Sequence, residues 1–466
     1  MENISWAVSM YATDCCFAAI GNLCHSYLGS SDARTTGRKR SILLLILGAA
    51  SALWFQHKLG PAIVLSTGWI GHVVGSLPGV GATTVHENWN EPCQRYDFGE
   101  SKLHHKNEND HLLQLCAEHA GVYRPLTVAS IFFLVAAVAA KLNPTVNREA
   151  WLSKYACFLM LVVGSLFVSS APFLSDPFLW FSRICATLFV VLQQIILIDI
   201  AYFWNENWVD RSDRADQIGE GDGIVWLRAI IAVCLAFYSL VFGGLYLMYR
   251  FFDCPESTWI ITFTLWGVVL LTLVQLLGTE GSLLTSSVMS LYATSLTYSV
   301  LSKNPNNLCN PLLGKSDSVG TAVDLTLTII SLAWLGWNPT EKYQSCPEGM
   351  GSSDDVSLDV PFLDPANRPT TGIVTGQQDS NEGSNNIANE ELWKTNVALA
   401  LMSSWLAMAM TKWGSLEHMD EVGTSLANTQ ANQVSMIMLA ISQWLAIALY
   451  IWTLVAPKLF PDRDFS

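Results

Sequence analysis

The chain has 466 residues, of which 51% are hydrophobic and only 14% are charged, and its mean hydropathy is +0.33. Soluble domains usually carry about 25% charged residues, so this composition excludes an ordinary soluble protein and indicates an integral membrane protein. The net charge of −14 also argues against nucleic-acid binding, which requires a basic surface.

Apolar stretches long enough to cross a bilayer as helices recur along nearly the whole chain. Helices satisfy their own backbone hydrogen bonds in lipid, and the alternating ten-residue pattern of barrel strands does not occur. We therefore predict an all-α polytopic transmembrane bundle of about ten spans. They lie near residues 41–58, 125–142, 152–172, 178–203, 225–250, 257–278, 283–302, 321–338, 393–412 and 433–457.

The region before the first span, residues 1–40, is predicted to be a cytoplasmic or interfacial N-terminus with a short helix. It contains three cysteines, Cys15, Cys16 and Cys24, and it ends in a basic cluster, Arg34, Arg38, Lys39 and Arg40. Basic residues in short loops stay on the cytoplasmic side of a membrane. We therefore place the N-terminus inside.

The remaining chain divides into three parts. Residues 41–340 hold spans one to eight, with a luminal or extracellular loop at 59–124, and residues 393–466 hold spans nine and ten and a short cytoplasmic tail. Between them, residues 341–392 are rich in Gly, Ser, Asn and acidic side chains and poor in large apolar ones. Such a segment cannot bury enough surface to fold, and we predict a disordered acidic cytoplasmic loop.

Four cysteines, Cys93, Cys116, Cys254 and Cys309, fall in loops that this topology places outside. Disulfides persist in that compartment, and the even number suggests two pairs. We expect Cys93 to pair with Cys116 and Cys254 with Cys309, although sequence alone does not give connectivity and four free thiols stay an alternative.

The segment 189–208, FVVLQQIILIDIAYFWNENW, carries polar residues inside an apolar run: Gln193, Gln194 and Asp199, followed by Trp204 and Trp208. A carboxylate at the bilayer centre costs about 2.5–3.5 kcal/mol on insertion scales and usually faces protein or a wet cavity. Asp199 is therefore our first candidate for a lipid-facing groove, with a structural pair to a basic side chain as the alternative. The two tryptophans are interpreted as an interfacial aromatic belt.

Other polar residues near or inside spans are candidates for the same groove: Gln275, Glu280, Ser286 and Ser287, and beyond these Lys154, Arg183 and Thr279. Each also has a structural interpretation. The glutamines can hold helices together and the serines can let helices approach closely, while the charged residues near span ends can extend to water.

No catalytic signature was found: GxSxG, HExxH, Walker A and zinc-spaced CxxC patterns are missing from the sequence. Histidines cluster in the first outside loop, at His104, His105, His111 and His119, but their irregular spacing favours a solvated loop over a metal site. We expect no enzyme activity, no cofactor and no metal.

Three motifs resemble the serine incorporator family, also called the TDE or TMS family. They are LQQIILIDIAYFWNENWVD at 192–210, GSLLTSSVMSLYATSLTYSVLSKNPNNLCNP at 281–311 and LYIWTLVAPKLFPDRDF at 449–465, and they occur in the family's order. The sequence departs from the family at EELWKTN, residues 390–396, and at Thr285, where the family has Gln. Functions that depend on those side chains do not transfer.

The resemblance implies ten transmembrane helices in two pseudo-equivalent groups with a long tilted crossing helix, for which the span from 178 to 208 is long enough. It also implies energy-independent phospholipid scrambling, or supply of serine to phosphatidylserine and sphingolipid synthesis. Membrane lipids and serine are therefore the candidate partners, in the plasma membrane or an endomembrane such as the ER or Golgi. The oligomeric state is left open.

Two other classes of function are alternatives. A secondary transporter for serine or another small solute needs a coupling-ion site and preferably broken helices, and the GTEGS sequence at 278–282 is the nearest such feature. A non-catalytic interaction protein would recruit partners through the acidic loop. Deleting that loop separates this class from lipid movement.

Overall fold

Every predicted span overlaps a helix of the structure. The structure, a computed structural model, describes residues 33–64, 85–90, 93, 106–142, 151–218, 223–277, 282–306, 309–311, 318–337, 378–414, 417–419, 425–427 and 429–459. Its helices are α1 (Ala33–Trp54), α2 (Gly60–Val64), α3 (Lys106–Leu142), α4 (Trp151–Gly164), α5 (Asp176–Ile218), α6 (Gly223–Phe251), α7 (Pro255–Leu277), α8 (Leu283–Leu301), α9 (Ser318–Trp337), α10 (Gln378–Met410) and α11 (Thr429–Leu459).

In the part of the chain that the structure describes, six helical stretches are long and apolar enough to cross a membrane, which supports a multi-pass membrane protein. They are Arg38–Val64, Leu113–Leu142, Pro177–Gln217, Gly223–Phe251, Pro255–Leu277 and Asn432–Ala456. The apolar parts of α4 and α9 are shorter, α8 is rich in hydroxyl side chains, and α10 begins with a polar segment. Composition alone therefore assigns fewer spans than the ten that we predicted.

Helix boundaries differ from the predictions in four places. The span predicted at 152–172 is shorter, because α4 ends at Gly164 and only a 3₁₀ turn, Ser165–Phe167, follows it. The predicted outside loop 59–124 contains α2 and the first turns of α3, which continues through Pro125. The predicted crossing span ends at 203 or 208, but α5 extends to Ile218, where hydrogen bonds four residues apart, such as Arg211 to Asn207, support its polar end. Residues 378–392, predicted to be disordered, begin α10.

Two parts of the predicted organisation lie outside the described residues, namely the short helix before residue 33 and the acidic loop from 341 to 377. Between α10 and α11 the structure adds one element that the sequence did not predict. Two short antiparallel strands, β1 (Glu417–Met419) and β2 (Ser425–Ala427), pair with His418 opposite Leu426.

Helix packing places two helices at the centre of their neighbours. The helix α10 packs most extensively against α3 and α5 and also contacts α1, while α8 packs against α5, α6, α7 and α11. The helix α5 touches both sets. Most of α8 is buried, whereas large apolar side chains along α6, such as Ile231, Leu235 and Phe242, are exposed as expected for a surface that faces lipid.

The approach of α1 and α2 to α3 is close enough to require glycine. A π-helical turn, Phe55–Leu59, joins α1 to α2 and lies against α3. A Cβ atom on Gly121 would lie 2.9 Å from the carbonyl oxygen of Phe55, and one on Gly60 would lie 2.8 Å from the carbonyl oxygen of Ala117. Only hydrogen fits at these two contacts between backbones.

Both predicted disulfides are confirmed. Cys93 is bonded to Cys116 at the start of α3, with a Cα–Cα distance of 5.8 Å, and Cys254 is bonded to Cys309, with a Cα–Cα distance of 5.3 Å. The second bond ties the connection between α6 and α7 to the segment that follows α8. It thereby fixes the ends of three neighbouring helices.

Candidate functional site

Several of the predicted polar residues meet inside the bundle, where α7, α8 and α11 pack together. The hydroxyl of Ser286 donates to Oε1 of Gln275 at 3.2 Å and lies 3.0 Å from the hydroxyl of Tyr450. Ser286 is fully buried and Gln275 is only 8% exposed. Polar side chains from three helices thus satisfy one another away from lipid, which stabilises their packing.

The adjacent glutamines of α5 bind two different helices. Nε2 of Gln194 donates to the carbonyl oxygen of Ala446 in α11 at 2.7 Å. Tyr292 of α8 donates to the carbonyl oxygen of Val190 at 2.8 Å and to Oε1 of Gln193 at 3.4 Å. Among the described residues, Nε2 of Gln193 and Oε1 of Gln194 have no hydrogen-bond partner, although both are buried. An amide NH₂ group and an amide oxygen are thus left without partners among the described residues.

Ser287 and Ser290 of α8 bond to their own helix. Ser287 donates to the carbonyl oxygen of Leu284 at 2.7 Å, and Ser290 donates to that of Ser286 at 2.8 Å. Ser286, Ser287 and Ser290 are all fully buried. Their small size lets neighbouring helices approach α8 closely, as the structural interpretation of these residues requires.

A second polar junction was missed by the sequence analysis. Nε2 of Gln443 in α11 donates to the hydroxyls of Thr264 at 2.6 Å and Thr297 at 2.8 Å, and these hydroxyls lie 2.9 Å apart. The junction joins α7, α8 and α11, and Gln443 is fully buried. Its signal was available, because Gln443 interrupts an apolar run in the last predicted span just as Gln193 does in the fourth.

Asp199 lies apart from these buried junctions. Its side chain is exposed near the middle of α5, and its Oδ2 accepts a hydrogen bond from Nε1 of Trp334 in α9 at 2.7 Å. The ring of Trp334 also lies 5.3 Å from that of Phe203. In the part of the chain that the structure describes, the partner of this carboxylate is a neutral indole, whereas the alternative interpretation expected a basic side chain.

The two tryptophans that follow belong to an aromatic cluster between α5 and α6. The rings of Trp204 and Trp208 lie 5.3 Å apart, and Trp208 lies 5.9 Å from Trp226. The guanidinium of Arg211 lies 5.1 Å from the ring of Trp226. Their role as an interfacial belt stays a prediction.

The charged groove candidates have separate environments. Arg183 is 4% exposed and donates through Nε and Nη2 to the carbonyl oxygen of Trp413, at 3.2 and 2.9 Å, instead of extending to water. Lys154 is half-buried against Trp151. Thr279 and Glu280 lie outside the described residues.

The segment held by Arg183 has unusual backbone geometry. Lys412, Trp413 and Gly414 have positive φ angles of 49°, 64° and 75°. Such angles are costly for residues other than glycine, so surrounding contacts must fix them. Arg183 binds the carbonyl of Trp413, and Tyr123 donates to Thr411 at 2.9 Å. This turn therefore links the end of α10 to α3 and α5.

Arg124 is a second buried polar residue that the sequence analysis did not identify as a candidate. It is fully buried in α3, and its guanidinium lies 3.8 Å from the ring of Trp89. It donates to the carbonyl oxygens of Ser165 at 3.0 Å and Val168 at 2.7 Å, and to Ser170 at 3.0 Å. The carbonyl partners at the end of α4 account for its burial, so it locks α3 to that segment.

Metal ligands do not assemble in the described part of the chain, where no group of three His, Cys, Asp or Glu side chains could hold an ion. Of the four clustered histidines, only the side chain of His119 is described, and it is buried in α3. The candidate residues that the structure describes instead offer hydroxyl groups, amide groups and the exposed carboxylate of Asp199.

The chain is similar to known proteins along most of its length. The family model described as serine incorporator (Serinc) matches residues 13–463. A probable serine incorporator from Nematostella vectensis is 26% identical over 397 residues, covering 77% of this chain and 83% of the relative. Serine incorporator 3 from Bos taurus is 26% identical over 399 residues, covering 75% and 80%. The family match spans nearly the whole chain, and the protein therefore belongs to the serine incorporator family.

Proposed function

We propose that this protein moves phospholipids between the leaflets of its membrane without an energy source. The proposal includes a ten-span arrangement in two groups of helices, with α5 crossing between them. The packing of α10 on α1 and α3, the packing of α8 on α6, α7 and α11, and the contacts of α5 with both sets support this arrangement.

The observation that carries the proposal is the position of Asp199. A headgroup that crosses a bilayer must leave water, and the cost of burying its charge forms the barrier. The carboxylate of Asp199 is exposed on α5, between the apolar residues Ile198 and Ile200 of a helix that is long and apolar enough to cross a membrane. At that depth it can retain water and attract the cationic part of a zwitterionic headgroup while the acyl chains stay in lipid. No nucleophile, cofactor or metal is needed for this function.

Trp334 of α9 holds the carboxylate of Asp199 on the surface of α5 through a hydrogen bond. Its indole N–H donates to one oxygen of Asp199 and leaves the other oxygen for a headgroup or water. The buried glutamines of the same helix, Gln193 and Gln194, are 2% and 1% exposed and hold α8 and α11. In this proposal the lipid path follows the side of α5 that carries Asp199, and the glutamines keep the helix in place.

Purified protein in liposomes containing a fluorescent phospholipid tests the proposal. An impermeant reductant added without ATP should bleach the inner-leaflet pool in wild-type vesicles. We expect Asp199→Asn to slow this bleaching about tenfold, and Trp334→Phe, which keeps an aromatic side chain but removes the N–H donor, to slow it less. The matched control is Asp213→Asn, which removes an exposed carboxylate from the polar end of α5. Wild-type vesicles that protect half their lipid, as empty vesicles do, would refute the proposal.

Serine supply is the second candidate, favoured by the unused donor of Gln193 and acceptor of Gln194. A zwitterionic amino acid offers groups that could bind both atoms. Uptake of labelled serine into the same vesicles tests this function, and Gln193→Leu should lower serine uptake by a larger factor than it slows lipid bleaching. Uptake equal to that of empty vesicles would exclude it.

A further inference from the structure

Basic side chains and tryptophans meet at the end of the bundle where α1 and α4 begin. The guanidinium carbon of Arg40 lies 5.9 Å from the ring centroid of Trp151, and Nζ of Lys154 lies 4.4 Å from the same centroid. The hydroxyl of Tyr155 donates to the carbonyl oxygen of Arg40 at 2.9 Å, which ties α4 to α1. Two cations from different helices are thus held against one aromatic ring.

A second pair lies near this end on other helices. Nζ of Lys141, in the last turn of α3, lies 5.2 Å from the ring centroid of Trp393 in α10. In α3 and α10, residue 130 contacts residue 400 and residue 123 contacts residue 411, so these helices are antiparallel.

The helix α1 also runs antiparallel to α3, because a Cβ on Gly48 would contact Ala129 and one on Gly60 would contact Ala117. It follows that α1 and α10 run in the same direction. Gln56 donates to the carbonyl oxygen of Met410. Gln56 lies just after α1 and Met410 ends α10. Counting sixteen residues back from each of them leads to Arg40 and Lys394, and because both helices rise by the same distance per residue, these two residues lie at the same level. The two pairs therefore lie at one depth.

The topology rule explains why this end is basic, but it does not explain why Arg40 and Lys154 converge on Trp151. Cations held on an aromatic face have lost part of their freedom before any ligand binds. Next to them, Leu152 is 85% exposed and offers apolar surface. Fixed positive charge, an interfacial tryptophan and an apolar neighbour match the headgroup and acyl chain of a single lipid. The cytoplasmic leaflet is also where anionic lipids concentrate.

We propose that Trp151, with Arg40 and Lys154 on its ring, forms a binding site for an anionic phospholipid in the leaflet at this end of the bundle. The two cations bind the headgroup phosphate, and the chain lies along α4 at Leu152. The site is on different helices from Asp199 and does not depend on the proposed lipid path.

Native mass spectrometry of the full-length protein in detergent tests this site, with dioleoyl phosphatidylserine compared with dioleoyl phosphatidylcholine. We expect wild type to prefer phosphatidylserine, and the double variant Arg40→Gln, Lys154→Gln to lose most of this preference, at about fivefold for each cation removed. The control, Arg228→Gln with Arg250→Gln, removes two exposed charges from α6 and should keep the preference.

Three results would overturn the proposal: equal binding of the two lipids by wild type, an unchanged preference in the double variant, or an equal loss in the control. Displacement of the bound lipid by inorganic phosphate would assign the site to a free anion and would also reject it. If the double variant does not fold, Lys154→Gln alone decides the question, because this side chain is half-buried and its stem can remain in place. Its expected loss is about fivefold.

Discussion

The substitution Gly121→Ala tests the contact that holds the first helix of the bundle against α3. The new methyl group would lie 2.9 Å from the carbonyl oxygen and 3.0 Å from the carbonyl carbon of Phe55. Both atoms belong to backbone, at the start of the π-helical turn that connects α1 with α2. A rotamer change cannot relieve this overlap, so α1 must move away from α3.

The magnitude follows from two opposing terms. Overpacking of this kind costs typically about 1–3 kcal/mol, whereas alanine in a helix interior is favoured over glycine by about 1 kcal/mol at most. Subtracting the second term from the first gives an expected net loss of up to about 2 kcal/mol in the free energy of unfolding. The matched control is Gly243→Ala in α6, where a Cβ meets no atom within 4 Å. That variant should be neutral or slightly more stable than wild type.

Steric trapping in bicelles, with both disulfides oxidised, measures these free energies at equilibrium. Equal stability of Gly121→Ala and Gly243→Ala would refute the reasoning, because it would mean that α1 does not approach α3 as closely as the structure places it. A second check is the double variant Gly60→Ala, Gly121→Ala. Both glycines lie in the same contact between helices. The loss of unfolding free energy in the double variant should therefore differ from the sum of the losses in the two single variants.

Three further outcomes are expected in the same assay. Gly414→Ala should lower stability by about 1–2 kcal/mol, because φ is +75° at this position and alanine resists that conformation. Cys254→Ser should cost more than Cys93→Ser, because the bonded residues are 55 and 23 positions apart, and the chain-entropy model gives upper values of about 4 and about 3 kcal/mol. Gln443→Leu should cost about 1 kcal/mol, since two interhelical hydrogen bonds of about 0.6 kcal/mol each are lost. A gain in stability for Gln443→Leu would show instead that its unpaired Oε1 outweighs both bonds.

Much of the fold could be predicted because hydropathy is a local property. Each predicted apolar run became a helix, and both cysteine pairs formed as expected from loop placement. The helix ends were less predictable. Polar residues at 106–112, 209–218 and 378–392 continue helices beyond their apolar cores, since extending an existing helix does not require the costly nucleation step again.

The hydrogen-bond partners in the candidate site could not be predicted from local sequence. Polar residues within spans were recognised as costly in lipid, but their partners are distant in sequence: Gln194 binds Ala446, and Asp199 binds Trp334. Two residues of one helix therefore have opposite environments. Gln194 is buried and Asp199 is exposed, which depends on which face of α5 its neighbours cover.

The sequence by itself determined that the chain is a helical membrane protein of the serine incorporator family, because the length of the apolar segments and the order of the motifs can be read directly from the sequence. Only the tertiary structure decided which polar groups are enclosed and which reach the surface. The positive φ of Trp413 and the glycine contacts between α1 and α3 were likewise set by packing. The physical reason is that hydrogen bonds and close contacts between helices depend on their relative rotation and depth, which the hydropathy of one segment does not specify.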